Sequence, residues 1–182
     1  MTATTEAAEV LATAELLYSE DQVQVAVKGL AAKVAQDTAG DDLLVLCVMN
    51  GGLITTGLLI PHLPNLLRVD YLHATRYRDQ IHGDKLHWVA EPRHSLVGQH
   101  VLVIDDIFDE GHTLKAICDH CRLRGARKVH SVILVNKLHD RKPGTFTPNF
   151  SGLDVPDRYV FGCGMDYKGY LRNLPGIYAA AH

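Results

Sequence analysis

No apolar run in this chain of 182 residues approaches the ~20 needed to span a bilayer, so no membrane association is expected. An excess of positive charge is also missing. Lys and Arg number 18 against 21 Asp and Glu, the formal net charge is −3, and no basic cluster stands out. That removes the usual footprint of a nucleic-acid binder. Proline is sparse at 7 residues, and no Pro/Gly/Ser-rich linker or fixed-period repeat divides the chain. A single domain over residues 1–182 is therefore expected. The few cysteines, Cys47, Cys118, Cys121 and Cys163, sit among apolar neighbours, as suits reduced core thiols and not a disulfide framework. Cys118 and Cys121 have the spacing of a metal pair, but no second pair exists and both fall on the apolar face of a helix. The 11 histidines make no HExxH arrangement, so zinc is not expected. Glu6, Glu9 and Glu15 stand where a secretory leader would be apolar, which points to the cytoplasm.

What remains is globular, with 47% hydrophobic and 21% charged residues, enough apolar side chain to build a core. Ser19 and Gln22 have the spacing of a capping box, and Val23, Ala26, Val27, Leu30 and Val34 follow at helical intervals, with Gly40 as the expected stop. Leu43 to Val48 is a short continuous apolar run that reads as a buried strand. Gly51-Gly52 breaks it, and an apolar helix is expected from about Leu53 to Leu63. Arg68 to Ala74, Val101 to Ile104, Val129 to Val135 and Tyr159 to Gly162 read as further strands. Leu114, Ile117, Cys118 and Cys121 mark one face of a helix that Gly125 stops. Strands alternating with amphipathic helices predict an α/β fold with a mostly parallel central sheet. The polar stretch from Arg76 to Glu91 is too long for a simple connection; such segments are often lids or active-site loops, and a surface hairpin is the plainer reading.

The run from Val101 to Leu114 carries the chemistry. An apolar strand leads into Asp105 and Asp106, then two apolar residues, Asp109, Glu110, Gly111, His112 and Thr113. Parallel sheets hold ligands at the carboxyl ends of their strands. The free N–H groups of the helix that follows suit a phosphate, to which Thr113 can add a hydroxyl. Carboxylates beside such a pocket suit sugar hydroxyls or a magnesium ion. An acidic turn before a capped helix is the plainer alternative, and a strand ending in Asp also occurs in receiver domains and nucleotide hydrolases.

This run resembles the phosphoribosyl pyrophosphate signature of type I phosphoribosyltransferases. Other segments are similar to the hypoxanthine–guanine branch of that family: Met49-Asn50-Gly51-Gly52, Asn136-Lys137, Val155 to Gly162, Met165-Asp166-Tyr167 and Arg172-Asn173-Leu174. The similarity runs from about Leu43 to Tyr178 in the family's order.

The resemblance implies the type I phosphoribosyltransferase fold, with a small hood from the N- and C-terminal segments and a lid over about 76–87 that starts with Arg76-Tyr77. It implies transfer of phosphoribosyl from phosphoribosyl pyrophosphate to N9 of hypoxanthine or guanine, giving IMP or GMP and pyrophosphate. Asp109 would act as the catalytic base near purine N7. Asp105 and Asp106 would lie at the ribose and, with Asp166, at Mg2+. The Glu110, Gly111, His112 and Thr113 turn would grip the 5′-phosphate. Lys137 would select a 6-oxo group, Tyr159 would stack on the purine and Val160 would meet its edge. Asn50, Gly51 and Arg172 would face pyrophosphate. A cis peptide at Met49–Asn50 and a homodimer or homotetramer are also implied. Read without the resemblance, Lys137 is a solvated strand-end lysine, Asp166 a turn former and Arg172 a surface charge.

Three positions depart from the family pattern. Glu110 replaces a frequent hydroxyl residue, His112 a frequent Lys or Arg, and Asn50 a frequent Lys. His112→Lys is accordingly expected to lower the KM for phosphoribosyl pyrophosphate. The alternative function is a non-catalytic regulator on the same fold that binds phosphoribosyl pyrophosphate or nucleotide. Retention of Asp109 and Lys137, and the missing basic surface, speak against it.

Overall fold

The computed structural model describes residues 2–76, 86–142, 144 and 146–181, without the side chains of Arg76 and Leu86. In chain order the elements are α1 (Ala3–Thr13), β1 (Glu15–Tyr18), α2 (Glu20–Asp37), β2 (Leu43–Val48), α3 (Gly52–Leu59), β3 (Leu67–Arg76), β4 (Leu86–Ala90), β5 (His100–Phe108), α4 (His112–Leu123), β6 (Lys128–Lys137), β7 (Phe150–Val155), β8 (Val160–Phe161) and β9 (Ile177–Ala179).

The central sheet has six strands in the order β4-β3-β2-β5-β6-β7. All neighbours run parallel except the edge pair β3 and β4. β2 is buried along its whole length, as its unbroken apolar run requires of a strand covered on both faces. On one face, Val23, Val27, Leu30 and Val34 of α2 pack with Leu59 of α3 against Val45, Leu102, Ile104 and Leu134. On the other, Leu114, Ile117, Cys118 and Cys121 of α4 pack against Val101, Val103 and Ile133.

Local chemistry explains the ends of the helices. The Ser19 side chain accepts from Gln22 N–H while the Gln22 side chain accepts from Ser19 N–H, closing the capping box of α2. α2 stops at Asp37, short of Gly40, because Thr38 leaves helical geometry and its hydroxyl donates to the Val34 carbonyl at 2.7 Å. The helix expected to reach Leu63 ends at Leu59 and passes into a 3-10 turn, Ile60–His62, where Pro61 has no N–H for a further helical bond.

Two sequence expectations need correction. β5 does not stop before the acidic pair; it continues through Asp105 and Asp106 to Phe108, paired with β6 up to Phe108 and Asn136. β2, on its other side, pairs only as far as Ile104. The two carboxylates therefore lie where the sheet steps from two neighbours to one. The polar stretch from Arg76 is also not all loop. Leu86–Ala90 forms β4, antiparallel to β3, so the flanks of the expected lid are a β-hairpin. Tyr77 and the residues to 85 lie outside the described residues.

The chain ends build a second sheet in the order β1-β9-β8. α1 joins it to the loop before the C-terminus, where Glu6 accepts from the Tyr167 hydroxyl at 2.9 Å and from Lys168 at 2.6 Å. Among the described residues no helix is long and apolar enough to cross a membrane.

Candidate active site

Two clefts open along the C-terminal edge of the parallel sheet, where such sheets hold their ligands. The larger, about 530 Å³, is lined by Asn50, Gly51, Asp105, Asp106, Asp109, the Glu110 to Leu114 turn, Asp166 and Arg172. The smaller, about 210 Å³, is lined by Lys137, Tyr159, Val160 and Met165 together with Asp106, Ile107, Asp109 and Asp166. Those last four residues line both clefts, so the two openings meet over the end of β5.

Gly111, at φ +81°, turns the chain from Asp109 into α4. A Cβ there would collide with the Phe108 ring, and positive φ is costly for any other residue. The turn sets the start of α4, whose first N–H groups have no partner within the helix, in the wall of the larger cleft with His112 and Thr113. Across the cleft the Met49–Asn50 peptide is cis. Gly51 follows, and a Cβ at Gly51 would be driven into the Asp106 carboxylate. Only glycine lets the end of β2 come this close to the end of β5.

Asp105 Oδ1 accepts from the Asp106 N–H at 2.9 Å, and Asp106 Oδ1 from the Ile107 N–H at 2.7 Å. Burial pushes the Asp105 carboxyl well above the ordinary carboxylate range, and neighbouring Asp106 adds to the rise. Burial raises Asp106 as well. Arg172 lies 4.0 Å from Asp106. Two adjacent carboxyls held up in this way mark a place short of positive charge.

Asp109 is the opposite case. Burial acts to raise its carboxyl, but hydrogen bonds from Lys137 and His139 outweigh that and hold it below the ordinary range. Lys137 Nζ donates to Oδ2 at 2.7 Å, and His139 Nε2 lies 2.6 Å from Oδ1. Lys137 is thus no solvated lysine; its side chain is 11% exposed and aimed at Asp109.

The structure brings Asp166 and Arg172 together in a way that sequence did not anticipate. Arg172 Nη2 pairs with Asp166 Oδ1 at 2.6 Å, and its Nη1 donates to the Gly164 carbonyl at 2.6 Å. Asp166 Oδ2 also accepts from Gly169 N–H at 2.7 Å, so Asp166 is a turn former as well as a cleft residue. Tyr159 is half-exposed and meets Tyr167 edge to face at 5.2 Å. Val160 is buried, paired with Ala179.

Sequence reasoning missed His139 and the β3 residues His73 and Thr75, which line the larger cleft. A signal for His139 existed: it stands two residues after Lys137, and period two puts both side chains on one face of an extended chain.

Residues 14–168 match the phosphoribosyl transferase domain family. The chain is 31% identical to the hypoxanthine-guanine phosphoribosyltransferase of Bacillus subtilis over 164 residues, which cover 90% of this chain and 91% of that one. Its fold is similar to that of a hypoxanthine-guanine phosphoribosyltransferase from Bacillus anthracis, with TM-score 0.83, 28% identity, and 92% and 97% of the two chains covered. A hypoxanthine phosphoribosyltransferase from Staphylococcus aureus superposes with TM-score 0.86 at 27% identity, covering 92% of this chain and 91% of that one. On the strength of a family match over most of its length, this chain belongs to the phosphoribosyl transferase domain family.

Proposed function

We infer that the protein is a hypoxanthine–guanine phosphoribosyltransferase, which transfers the 5-phosphoribosyl group of phosphoribosyl pyrophosphate to hypoxanthine or guanine and yields IMP or GMP and pyrophosphate. Its relatives carry that activity in their names. The observation that carries the reading is the meeting of the two clefts at Asp109, one walled by a helix start that suits phosphate and the other by Lys137 and Tyr159.

In this reading the 5′-phosphate rests on the backbone N–H groups of the Glu110 to Thr113 turn and the Thr113 hydroxyl. Glu110 contributes its N–H, since its carboxylate would be repelled. The ribose lies over Asp105 and Asp106. Lys137 donates to the exocyclic oxygen of a 6-oxopurine, whereas the amino group of adenine would face it with a second donor and leave both unpaired. Tyr159 stacks on the base and the Val160 backbone meets its edge. Purine N9 bonds to the anomeric carbon as the bond to pyrophosphate breaks, and the proton of N7 passes to the Asp109 carboxylate or is held by it. Asn50, Gly51 and Arg172 receive pyrophosphate, and for this Arg172 gives up part of its pairing with Asp166.

Magnesium suits the place where Asp105 and Asp106 are held up for want of positive charge. Among the described residues no group of three His, Cys, Asp or Glu side chains forms an ion cage. A magnesium ion needs no such cage: it takes one or two carboxylates and fills its shell with water and substrate phosphate. Asp105 and Asp106 would hold it, with Asp166 available if its bond to Arg172 opens. When bound it offsets the charge growing on the leaving pyrophosphate. The segment at 76–87 serves as the lid that keeps water from the activated sugar. The protein acts in the cytoplasm as a homodimer or homotetramer. The exposed Leu53, Val69 and Tyr71 around an apolar hollow support self-association.

Initial rates with hypoxanthine, guanine, xanthine and adenine, with and without magnesium, test the reading. Turnover of 6-oxopurines alone, dependent on magnesium, is expected. Binding of phosphoribosyl pyrophosphate without turnover of any purine would replace the enzyme with a regulator.

A further inference from the structure

The Asp109 carboxylate has two partners, and they are held in different ways. Lys137 reaches it at the end of a flexible four-carbon stem. His139 reaches it from a ring whose side chain is 3% exposed and whose backbone is anchored on both sides. Before it, Leu138 N–H donates to the Val155 carbonyl at 2.8 Å, continuing the β6–β7 register past Lys137. After it, the Arg141 guanidinium grips Asp157 with two bonds of 2.6 and 2.7 Å. Such two-point forks fix orientation as well as distance, and the Arg141 bonds hold the Asp157 carboxyl down to about 2.

The same loop sets the ring's tautomer. Arg141 N–H donates to His139 Nδ1 at 3.1 Å, so Nδ1 is an acceptor and the ring carries its proton on Nε2. That nitrogen is the one 2.6 Å from Asp109 Oδ1. His139 therefore donates and Asp109 accepts, and the backbone of the loop enforces the direction.

We propose that His139 is a positioning residue for phosphoribosyl transfer: it occupies Oδ1 of Asp109 permanently, while Lys137 is the exchangeable partner that leaves Oδ2 for the purine's exocyclic oxygen. The inference rests on the roles proposed above for Asp109 and Lys137. Once Lys137 turns to the base, Asp109 would otherwise be free to rotate. His139 keeps it in one plane with Oδ2 toward N7, and reaction geometry is sensitive to displacements of about 1 Å. The bond also lowers the basicity of the carboxylate, so removing it leaves a stronger base that is poorly aimed.

The test compares wild type, His139→Leu and His139→Gln, whose amide can place an N–H near the position of Nε2. For His139→Leu, kcat with hypoxanthine should fall about 10- to 100-fold, with the KM for phosphoribosyl pyrophosphate little changed. The acid limb of the kcat/KM profile should move to higher pH as Asp109 loses a stabilising donor. His139→Gln should restore most of kcat and return the acid limb. A folded His139→Leu protein with wild-type kcat and pH profile overturns the proposal, as does a folded His139→Gln protein no better than Leu. Should neither variant fold, the nitrogen shifts of His139 in the wild-type protein decide: an Nε2–H tautomer with and without IMP supports the assignment, and an Nδ1–H tautomer overturns it. A wild type that turns over no 6-oxopurine overturns the function itself, whereas an active wild type beside an equally active His139→Leu overturns only the role of His139.

Discussion

β5 and β6 carry ionisable groups at both of their ends, and the two ends treat them in opposite ways. At the start of the strands, His100 Nδ1 lies 2.8 Å from Asp41, His100 Nε2 lies 3.2 Å from His130 Nδ1, and His130 Nε2 lies 3.2 Å from Asp37. Arg127 adds a second partner for Asp41 at 3.1 Å. Each member of this chain faces another member. At the far end, Asp105 and Asp106 lean on backbone N–H groups and lie 4.0 Å from a cation at best. Polar groups that satisfy one another build structure, while buried carboxylates left short of charge await a ligand.

The comparison can be broken experimentally at either end. Asp109→Asn should lower kcat by about 10²- to 10³-fold, and because Asp109 is itself paired with Lys137 and His139 the thermal unfolding midpoint should fall with it. A normal kcat with a lowered midpoint would make this pairing structural only, like the one at the other end. Gly51→Ala should cost about 100-fold in kcat/KM for phosphoribosyl pyrophosphate, because its Cβ displaces the Asp106 carboxylate. His130→Phe should do the reverse, costing about 1–3 kcal/mol in denaturant unfolding by stranding its buried partner His100, with kcat of the folded protein near wild type.

A titration sharpens the contrast further. Burial holds the imidazoles of His100 and His130 below the ordinary 6.5. The unfolded chain then takes up protons at higher pH than the folded one, so the stability these groups contribute is full above 6.5 and is lost as pH falls through their folded values. Denaturant midpoints should decline from about pH 7 toward pH 5, and less steeply in His130→Phe. The smallest effect is expected far from both ends, at Ser19→Ala, where loss of the α2 cap costs about 1 kcal/mol and leaves the rates unchanged.

Elements defined by neighbours in sequence were legible without the structure. The capping box of α2, the buried strand β2 and the apolar face of α4 each depend on spacing within one helix or one strand. The acidic run to Thr113 was legible because strand, glycine turn and helix start follow in immediate succession. Short strands such as β1, β7 and β9 were not. Phe150–Val155 is only partly buried and contains Gly152, and β9 is a three-residue strand defined by partners at the other end of the chain. Such strands owe their existence to pairing and carry little pattern of their own.

The site divides along the same line. Sequence alone determined which groups are present and which of them share a turn, because Asp105 to Thr113 follow one another within nine residues of strand, turn and helix start. Tertiary structure decided which oxygens are already taken. Lys137 and His139 reach Asp109 only because the β5–α4–β6 crossover of the parallel sheet brings the ends of two strands together. Arg172 reaches Asp166 by the fold of the loop between β8 and β9. An ion pair between distant residues leaves no periodicity to read, since its energy depends on a separation in space that the linear order does not encode.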